Sequence, residues 1–430
     1  MRRSPANLPA PPGSARVEEG GWGVPSPVAG GRAAHRKVQA TVAEQDALAI
    51  RNGRVLLPEG ALSDCDVLIA AGSIQEVGPA LRARSCIDAA GGYVLPGLID
   101  LHTHGIRMES AEAGALSAYA RIEATFGATT FYPTLFCPPE ESARQMERHR
   151  RETAELRLCP QVAGFRLEAP YLARTGAGAS RDLVPINPRT TDLLLGAGGG
   201  HVKIWDVSPE LEGAPELIRR LAGQGIVCSL AHTQATIEQG RAAVEAGARL
   251  VTHLFDVFPL PERAETGVYP PGLVDYLLVE DRIACEIIAD GTHVHPLLVE
   301  KAFRCKLGDT LVFVTDSNYG AGLPPGRYRA PGSWGTVQID GPNNGVRQVE
   351  RNMGLAGSAL TPIDSYRNVI RLFHKDIAAA SRVWSRNPAR LMGLNKGEIA
   401  PGRDADLIIL DPDLDLVYTI VAGQVVYRRA

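Results

Sequence analysis

Residues 94–105 read Val-Leu-Pro-Gly-Leu-Ile-Asp-Leu-His-Thr-His-Gly, a short apolar run that closes on two histidines, His102 and His104. A run of this length is consistent with a buried β-strand. Because side chains alternate along a strand, the pattern His-x-His places both imidazole rings on the same side. The stretch therefore predicts a strand that carries two metal-ligating side chains at its carboxyl end.

Similar apolar runs recur from Leu98 to about Leu394, and they alternate with longer segments of helical spacing. The predicted helices cover residues 110–126, 142–156, 214–225, 236–247 and 295–307. Strand and helix alternate about eight times, which predicts an α/β fold with a parallel sheet. A TIM-like (β/α)8 barrel fits that count best.

The two ends of the chain differ from this pattern, since they hold short alternating strands and turn residues such as Asn52-Gly53. We expect these N- and C-terminal strands, in residues 46–96 and 395–430, to form a small β-sandwich. It would flank a catalytic barrel formed by residues 97–394. Residues 1–45 are rich in Pro, Gly, Ala and Arg and predict a disordered extension.

Composition limits the possible partners and compartments. A net charge of −3 gives no electrostatic footprint for nucleic acid. No apolar run approaches the roughly 20 residues that span a bilayer, and no apolar stretch follows the N-terminal arginines as in a secretory signal. The seven cysteines are scattered without a CxxC pair, so neither a zinc ribbon nor a disulfide framework is indicated. We therefore predict a cytoplasmic protein with reduced cysteines and without nucleic-acid or membrane partners.

Four further side chains with ligand chemistry end predicted strands: Glu168, His232, His253 and Asp316. The carboxyl ends of barrel strands converge on one rim, so these residues are expected to meet His102 and His104 there. Imidazole and carboxylate groups suit Zn²⁺, Fe²⁺ or Mn²⁺. Six such groups would crowd one ion, so they predict two divalent ions, or one ion and a free catalytic carboxylate.

An alternative applies to each histidine taken alone, because a single histidine in a strand is usually a hydrogen-bonded core residue. Four histidines and two acids that all end strands favour a metal centre instead. Three other histidines, His35, His149 and His374, lie in contexts that predict ordinary surface residues.

Residues 94–105 resemble the first barrel strand of the amidohydrolase superfamily. Four further segments, with the sequences LEAPY, AHTQAT, IADGTHV and LAGSALT, resemble N-acetylglucosamine-6-phosphate deacetylases; they are residues 167–171, 231–236, 288–294 and 355–361. The similarity extends in order from about Ala47 to the C-terminus. It implies a metal-dependent enzyme that hydrolyses the N-acetyl amide of an amino sugar, and family precedent suggests a homodimer.

The resemblance also implies roles for single residues. Glu168, His232 and His253 match the metal site that the family keeps most generally, whereas His102 and His104 match a pair that holds a second metal in some members. Asp316 matches the catalytic carboxylate, which would take a proton from the metal-activated water and give it to the departing amine. His293 matches a histidine that contacts the substrate; alternatively, it braces its loop.

The segment Leu254-Phe-Asp-Val-Phe departs from the family, which has Leu-Tyr-Asn-Ala-Met and uses the Asn and Ala to bind the substrate phosphate. Asp256 would place a carboxylate beside that dianion, at a cost of roughly several kcal/mol if desolvated. It would instead suit a sugar hydroxyl or an amine, unless it caps a turn and points away. Arg263 matches a family arginine with inexact spacing. A deacylase of an unphosphorylated N-acyl sugar or N-acyl amino acid is therefore an open alternative.

Two other classes remain as alternatives. A cyclic-amide hydrolase of the dihydroorotase type bridges its metals with a carboxylated lysine, and Lys203 lies on a predicted strand where such a lysine could occur. Glu168 already offers a bridging carboxylate, which favours the deacetylases. A barrel that has become a non-catalytic assembly protein would lose metal ligands, and this chain retains all six candidate groups.

Overall fold

The computed structural model describes residues 47–176, 183–261, 265–306 and 308–430. The predicted extension of residues 1–45 and the candidate substrate residue Arg263 lie outside the described residues. Within the described ranges, no helix is both long and apolar enough to cross a membrane.

The first part of the chain is β-rich, as its alternating sequence predicts. Its strands are β1 (Leu48–Leu56), β2 (Leu62–Ala70), β3 (Ser73–Gly78), β4 (Ser85–Asp88) and β5 (Tyr93–Pro96). The strands that follow contain the barrel and one short hairpin; they are β6 (Leu98–Thr103), β7 (Gly105–Ile106), β8 (Glu109–Ser110), β9 (Ala128–Leu135), β10 (Phe165–Leu167), β11 (Val202–Val207), β12 (Val227–Leu230), β13 (Leu250–Val251), β14 (Ala284–Ile288) and β15 (Leu311–Val314).

A small inserted sheet and the C-terminal strands complete the β-structure; they are β16 (Gly326–Arg329), β17 (Thr336–Ile339), β18 (Val346–Gln348), β19 (Gly354–Leu355), β20 (Leu407–Leu410), β21 (Leu416–Val421) and β22 (Gln424–Arg428). The α-helices of the described residues are α1 (Leu116–Ala124), α2 (Pro139–Glu152), α3 (Pro188–Gly198), α4 (Ala214–Ala222), α5 (Ile237–Ala246), α6 (Leu273–Val279), α7 (Pro296–Cys305), α8 (Pro362–Arg371), α9 (Ile377–Ser381) and α10 (Asn387–Leu391).

Eight strands form one parallel sheet, in the order β6, β9, β10, β11, β12, β13, β14 and β15. The last strand returns to the first, because the backbone N–H of Asp316 donates to the carbonyl of His102 at 2.9 Å. Thr103 and Ser317 form a parallel bridge beside this bond. The predicted (β/α)8 barrel is thereby confirmed.

Alternation along the barrel strands separates two hydrophobic cores. Phe165 and Leu167 of β10 belong to the main cluster, in which strand side chains pack against the surrounding helices. Ile204, Leu250 and Val312, from three other strands, belong to a second buried cluster. Side chains that alternate in this way stand on opposite faces of the sheet, so the barrel has a packed interior rather than a pore.

The strands at the two chain ends form an eight-stranded sheet in the order β22, β21, β20, β5, β1, β2 and β3, with β4 paired to β1. Strand β20 lies antiparallel to β5, with Ile409 opposite Val94. Both side chains belong to a separate hydrophobic cluster with Ile50 and Val67. The small flanking β-structure expected from the terminal strands is confirmed.

All five predicted helices are present, with shifted ends. Helix α5 begins where Thr236 forms a capping box with Gln239, which satisfies two backbone donors at the helix start. The largest difference concerns residues 110–126, because α1 begins only at Leu116. Ser110 lies in β8, and its hydroxyl accepts hydrogen bonds from the backbone N–H groups of Glu112 and Ala113. These bonds stabilise a non-helical turn at Ser110, so the helix does not begin there.

Strands β16 to β19 form a four-stranded antiparallel sheet between the last barrel strand and helix α8, which the sequence did not predict. Each strand has only two to four residues, and β16 reads Gly-Arg-Tyr-Arg without an apolar run. The sheet is held by its own buried cluster, which includes Trp334, Val337, Ile339 and Val346.

A C-terminal strand at the centre of the terminal sheet makes that sheet sensitive to core truncation. Ile409 is 1% exposed, whereas Val426 on β22 is 41% exposed. We expect Ile409→Ala to lower the free energy of unfolding by about 2–5 kcal/mol. Val426→Ala should change it by less than about 0.5 kcal/mol. Urea denaturation of the two variants checks this, and equal effects would contradict a central position for β20.

Candidate active site

Six side chains predicted as ligands or catalytic groups come together at the carboxyl ends of barrel strands. His102 lies in β6, and the others follow the ends of β6, β10, β12, β13 and β15; they are His104, Glu168, His232, His253 and Asp316. All six are buried. The convergence that the barrel predicts is therefore observed.

Glu168 lies between two pairs of histidines. Its Oε2 atom is 2.9 Å from Nε2 of His104 and 3.4 Å from Nε2 of His102. Its Oε1 atom is 2.8 Å from Nε2 of His232 and 3.4 Å from Nε2 of His253. Each carboxylate oxygen thus faces one pair of imidazoles.

These contacts define two groups of three donors that share Glu168. Within each group the ligand atoms lie within 4.8 Å of one another. Imidazole nitrogens and a bridging carboxylate are the ligands that Zn²⁺ and Fe²⁺ take in catalytic sites. The chemistry and spacing of this donor set fit one divalent ion in each group.

Asp316 approaches one side of this arrangement. Its Oδ1 atom is 3.4 Å from Nε2 of His102 and 3.3 Å from Nε2 of His104. The carboxylate also lines the pocket that opens above the histidines. Asp316 therefore stands between the candidate metal ligands and the space available to a substrate.

The backbone turns sharply where three of these side chains leave their strands. His232, His253 and Asp316 have φ values of 46°, 28° and 48°, in the left-handed region that residues with a Cβ rarely adopt. Val257, which also lines the pocket, has a φ of 58°. Such strained residues persist where the surrounding structure fixes them, and they concentrate at functional sites.

The electrostatics of the metal-free site stabilise ionised carboxylates and protonated imidazoles. Burial alone would lower the pKa of His104 and His253, but nearby carboxylates, Glu168 and Asp316 among them, outweigh it and raise both to about 10. Burial would raise the pKa of Asp316, but the histidines outweigh it and hold that pKa at about 2. They also hold the pKa of Glu168 well below its usual range, against the effect of burial.

A pocket opens over these groups. Its walls include two of the three predicted substrate residues, Asp256 and His293, while the third, Arg263, lies outside the described residues. The Nδ1 atom of His293 donates to Oδ2 of Asp290 at 2.6 Å, which leaves Nε2 as the polar ring atom available to the pocket. No Lys or Arg is among the described residues that line it.

Two aromatic pocket residues were not predicted. Phe136 directly follows β9, so the rule that functional side chains end barrel strands could have found it. Trp334 lies in a 3-10 turn between β16 and β17 of the inserted sheet, and its indole Nε1 donates to Glu112 at 3.1 Å. The sequence has no signal for that position, because the short strands around Trp334 were not recognised.

Two other sequence interpretations are now decided. Lys203 lies near the amino end of β11 and packs its aliphatic part beside Gly164, away from the rim that holds the histidines. It does not occupy the place of a bridging carboxylated lysine. The prediction that His149 is a surface residue is wrong: it is fully buried, and its Nε2 bonds to the carbonyl of Ala111 at 2.8 Å. His374 is exposed, as predicted, and His35 lies outside the described residues.

Comparison with known proteins places these observations in a family context. Residues 93–426 match the family model described as the amidohydrolase family. An N-acetylglucosamine-6-phosphate deacetylase of Lysinibacillus sphaericus is 29% identical over 392 residues, which cover 88% of this chain and 97% of that protein. An N-acetylgalactosamine-6-phosphate deacetylase of Escherichia coli O157:H7 is 30% identical over 385 residues, covering 87% and 98%.

Solved structures show the same similarity. The crystal structure of N-acetyl-D-glucosamine-6-phosphate deacetylase from Mycobacterium smegmatis superimposes with a TM-score of 0.77 at 28% identity. The match covers 89% of this chain and 100% of that chain. The shared fold therefore includes the terminal strands as well as the barrel.

Protonated imidazoles in the metal-free site make metal binding dependent on pH. A divalent ion binds deprotonated nitrogen, so Zn²⁺ must displace the protons that His104 and His253, with pKa values of about 10, hold at neutral pH. We expect calorimetric titration with Zn²⁺ to show proton release, and the affinity to rise as pH increases from 6 to 8. The variant His374→Gln, at an exposed position, should release the same number of protons. Zn²⁺ binding without proton release would contradict this account of the site.

Proposed function

This chain belongs to the amidohydrolase family, and we propose that it removes the N-acetyl group of an amino sugar at a divalent metal centre. The family membership that the sequence resemblance predicted is confirmed. The protein is a hydrolytic enzyme that acts on a linear amide. The comparison with named deacetylases supports the amino sugar as its substrate class.

The observation that carries the proposal is the position of Glu168 between two histidine pairs. One oxygen faces His102 and His104 and the other faces His232 and His253, at 2.8–3.4 Å. A carboxylate with this environment suits a bridge between two ions. The three donors Glu168, His232 and His253 would equally hold a single ion. Zn²⁺ and Fe²⁺ suit the ligands best, and Mn²⁺ is the next candidate.

The side chains around the centre have complementary tasks. A bound divalent ion lowers the pKa of water and polarises an amide carbonyl. Asp316, whose carboxylate lines the pocket beside the candidate ligands, accepts a proton from the attacking water. The same carboxyl group then donates that proton to the departing amine, which leaves poorly without it. His293, held through Nδ1 by Asp290, offers Nε2 to an oxygen of the substrate.

The role of Asp316 as a proton carrier can be separated from a role as a ligand. We expect Asp316→Asn to retain metal but to lower kcat by about 10²–10⁴-fold, because the amide cannot accept the proton. Metal content by elemental analysis and the rate of acetate release check this. Asp281→Asn makes the same chemical change at an exposed position and should leave both unchanged. Loss of metal from Asp316→Asn would mean that Asp316 is chiefly a ligand.

A second candidate substrate, an unphosphorylated amino sugar, is favoured by Asp256. This half-buried carboxylate lines the pocket, where the described residues offer no Lys or Arg to a phosphate dianion. A phosphate beside Asp256 would meet a like charge. A sugar hydroxyl would instead donate a hydrogen bond to it.

A deacetylation screen distinguishes these substrates. It compares N-acetylglucosamine 6-phosphate, N-acetylglucosamine, the two galactosamine equivalents and N-acetyl amino acids. We expect the unphosphorylated sugars to have the higher kcat/KM. We also expect Asp256→Asn to improve turnover of the phosphorylated sugar by about tenfold, because a repulsion of roughly 1.4 kcal/mol is removed. A clear preference for the phosphorylated sugar in the unmodified enzyme would overturn the role given to Asp256 and leave the deacetylase proposal intact.

A further inference from the structure

A charged layer lies inside the barrel directly below the candidate metal ligands. Its centre is Arg166, whose guanidinium is fully buried. Arg166 precedes Glu168 by two positions on the same strand end, so both side chains point to the barrel interior. The layer also contains Asp206 of β11 and Glu286 of β14, both fully buried.

Arg166 holds both carboxylates of this layer. Its Nη1 donates to Oε1 of Glu286 at 2.6 Å, and its Nη2 donates to Oε2 of Glu286 at 3.1 Å. Its Nε and Nη2 donate to Asp206 at 3.2 Å and 3.1 Å. Further bonds to the carbonyl of Leu101 and the hydroxyl of Thr252 fix the guanidinium plane. A buried charge is tolerated when it is paired and hydrogen-bonded in this way.

The two carboxylates differ in what lies on their other side. The Oε2 atom of Glu286 is 3.6 Å from Nδ1 of His102 and accepts from the backbone N–H of His253 at 3.4 Å. Side-chain hydrogen bonds to Asp206 from the described residues all come from Arg166. Glu286 therefore connects Arg166 with a candidate ligand, whereas Asp206 does not.

The contact with His102 is distinctive among the four histidines. Among the described residues Nδ1 has no hydrogen-bond partner in any of the four histidines, and only Nδ1 of His102 has an ion-pair contact, with Glu286 at 3.6 Å. When the Nε2 atom of a histidine binds a metal, its proton resides on Nδ1. A carboxylate that faces Nδ1 then fixes both the tautomer and the ring orientation, and such partners typically change metal affinity by about 10–100-fold.

We propose that Glu286 is a positioning residue for the metal held by His102 and His104, and that Arg166 fixes Glu286 in that task. This proposal rests on the proposed metal centre. It implies that metal binding at the His102–His104 pair depends on the charged layer more strongly than metal binding at the His232–His253 pair does. Glu168 contacts both halves of the centre, whereas Glu286 faces a ligand side chain only at the His102–His104 half and meets the other half only through the backbone N–H of His253.

The variant Glu286→Gln tests this directly. The carbonyl oxygen of the new amide keeps the shorter bond, from Nη1 of Arg166, so the NH2 group takes the place of Oε2 and loses the bonds from Nη2 of Arg166 and the backbone of His253. There it faces Nδ1 of His102 and favours the proton on Nε2, where the proton blocks metal binding. Asp206→Asn is the matched control, because it removes the same charge from the same arginine without facing His102. Both proteins are freed of metal and titrated with Co²⁺, which reports each binding step by its visible absorption.

We expect Glu286→Gln to weaken one Co²⁺ step by about 10–100-fold and to leave the other within about threefold, while Asp206→Asn leaves both within about threefold. In a His102→Ala background, Glu286→Gln should have no further effect on Co²⁺ affinity, because the contact it acts through is absent. If the Gln variant is insoluble, Glu286→Asp is tested instead. Its shorter side chain keeps a charge beside Arg166 but cannot reach His102 at the same time, so we expect the same selective loss of Co²⁺ affinity.

The outcomes separate this inference from the proposed function. Equal losses in the Glu286 and Asp206 variants would show a merely structural role for the charged layer, and an unchanged Co²⁺ titration of Glu286→Gln would also overturn the inference. In either case the unmodified protein still binds Co²⁺, so the proposed metal centre stands. Failure of the unmodified protein to bind Co²⁺ would overturn both.

Discussion

The site depends on one constraint, the burial of the Glu168 carboxylate between four imidazoles. An ionised carboxylate out of water is costly unless opposite charges and hydrogen-bond donors surround it. In the metal-free protein, protonated His104 and His253 supply such charges, and divalent ions would supply them in the loaded enzyme. The four imidazoles come from β6, the segment after it and the ends of β12 and β13. Strands far apart in sequence must therefore end at the same level along the barrel axis. The closed barrel meets that requirement, since its first and last strands bond at His102 and Asp316.

The barrel interior is organised in levels below this carboxylate. Arg166 and its two acids lie beneath the ligands, and apolar side chains such as Ile204 and Val312 belong to a separate buried cluster. A buried charged layer rarely stabilises a core more than apolar residues would, because well-packed apolar residues of similar volume often give equal or greater stability. Its presence beside the ligands is better explained by orientation than by stability. Groups on rigid strands hold such orientations more accurately than groups on loops.

Much of the fold and of the candidate site could be predicted because the same sequence pattern that indicates the barrel strands also indicates where the candidate ligands lie. Each candidate ligand ends an apolar run, so the alternation that predicts a barrel also predicts where Glu168 and the histidines meet. Trp334 was missed because β16 and β17, the strands on either side of it, are too short to show an alternation of apolar and polar residues. Glu286 was missed because the role of a charged residue in a buried strand can be inferred only when its partner is known, and the fold is what places Arg166 beside it. His149 was wrongly assigned to the surface, since its helix is polar in composition and tertiary contacts, with the carbonyl of Ala111 and the ring of Phe165 among them, bury it.

The residues proposed for catalysis and those proposed for substrate recognition lie in different parts of the chain, and they need not change together. The candidate ligands and Asp316 leave their strands at fixed points of the barrel, whereas Asp256 and Trp334 belong to connecting segments that vary more easily. Asp256 nevertheless affects both, because it is one of the carboxylates that raise the pKa of His253 and His293 against the effect of burial. A phosphate bound there would meet the like charge of Asp256 beside His293. A neutral hydroxyl would avoid that repulsion, and this is the physical reason to consider the deacetylation named for these relatives separately from the phosphate in their names.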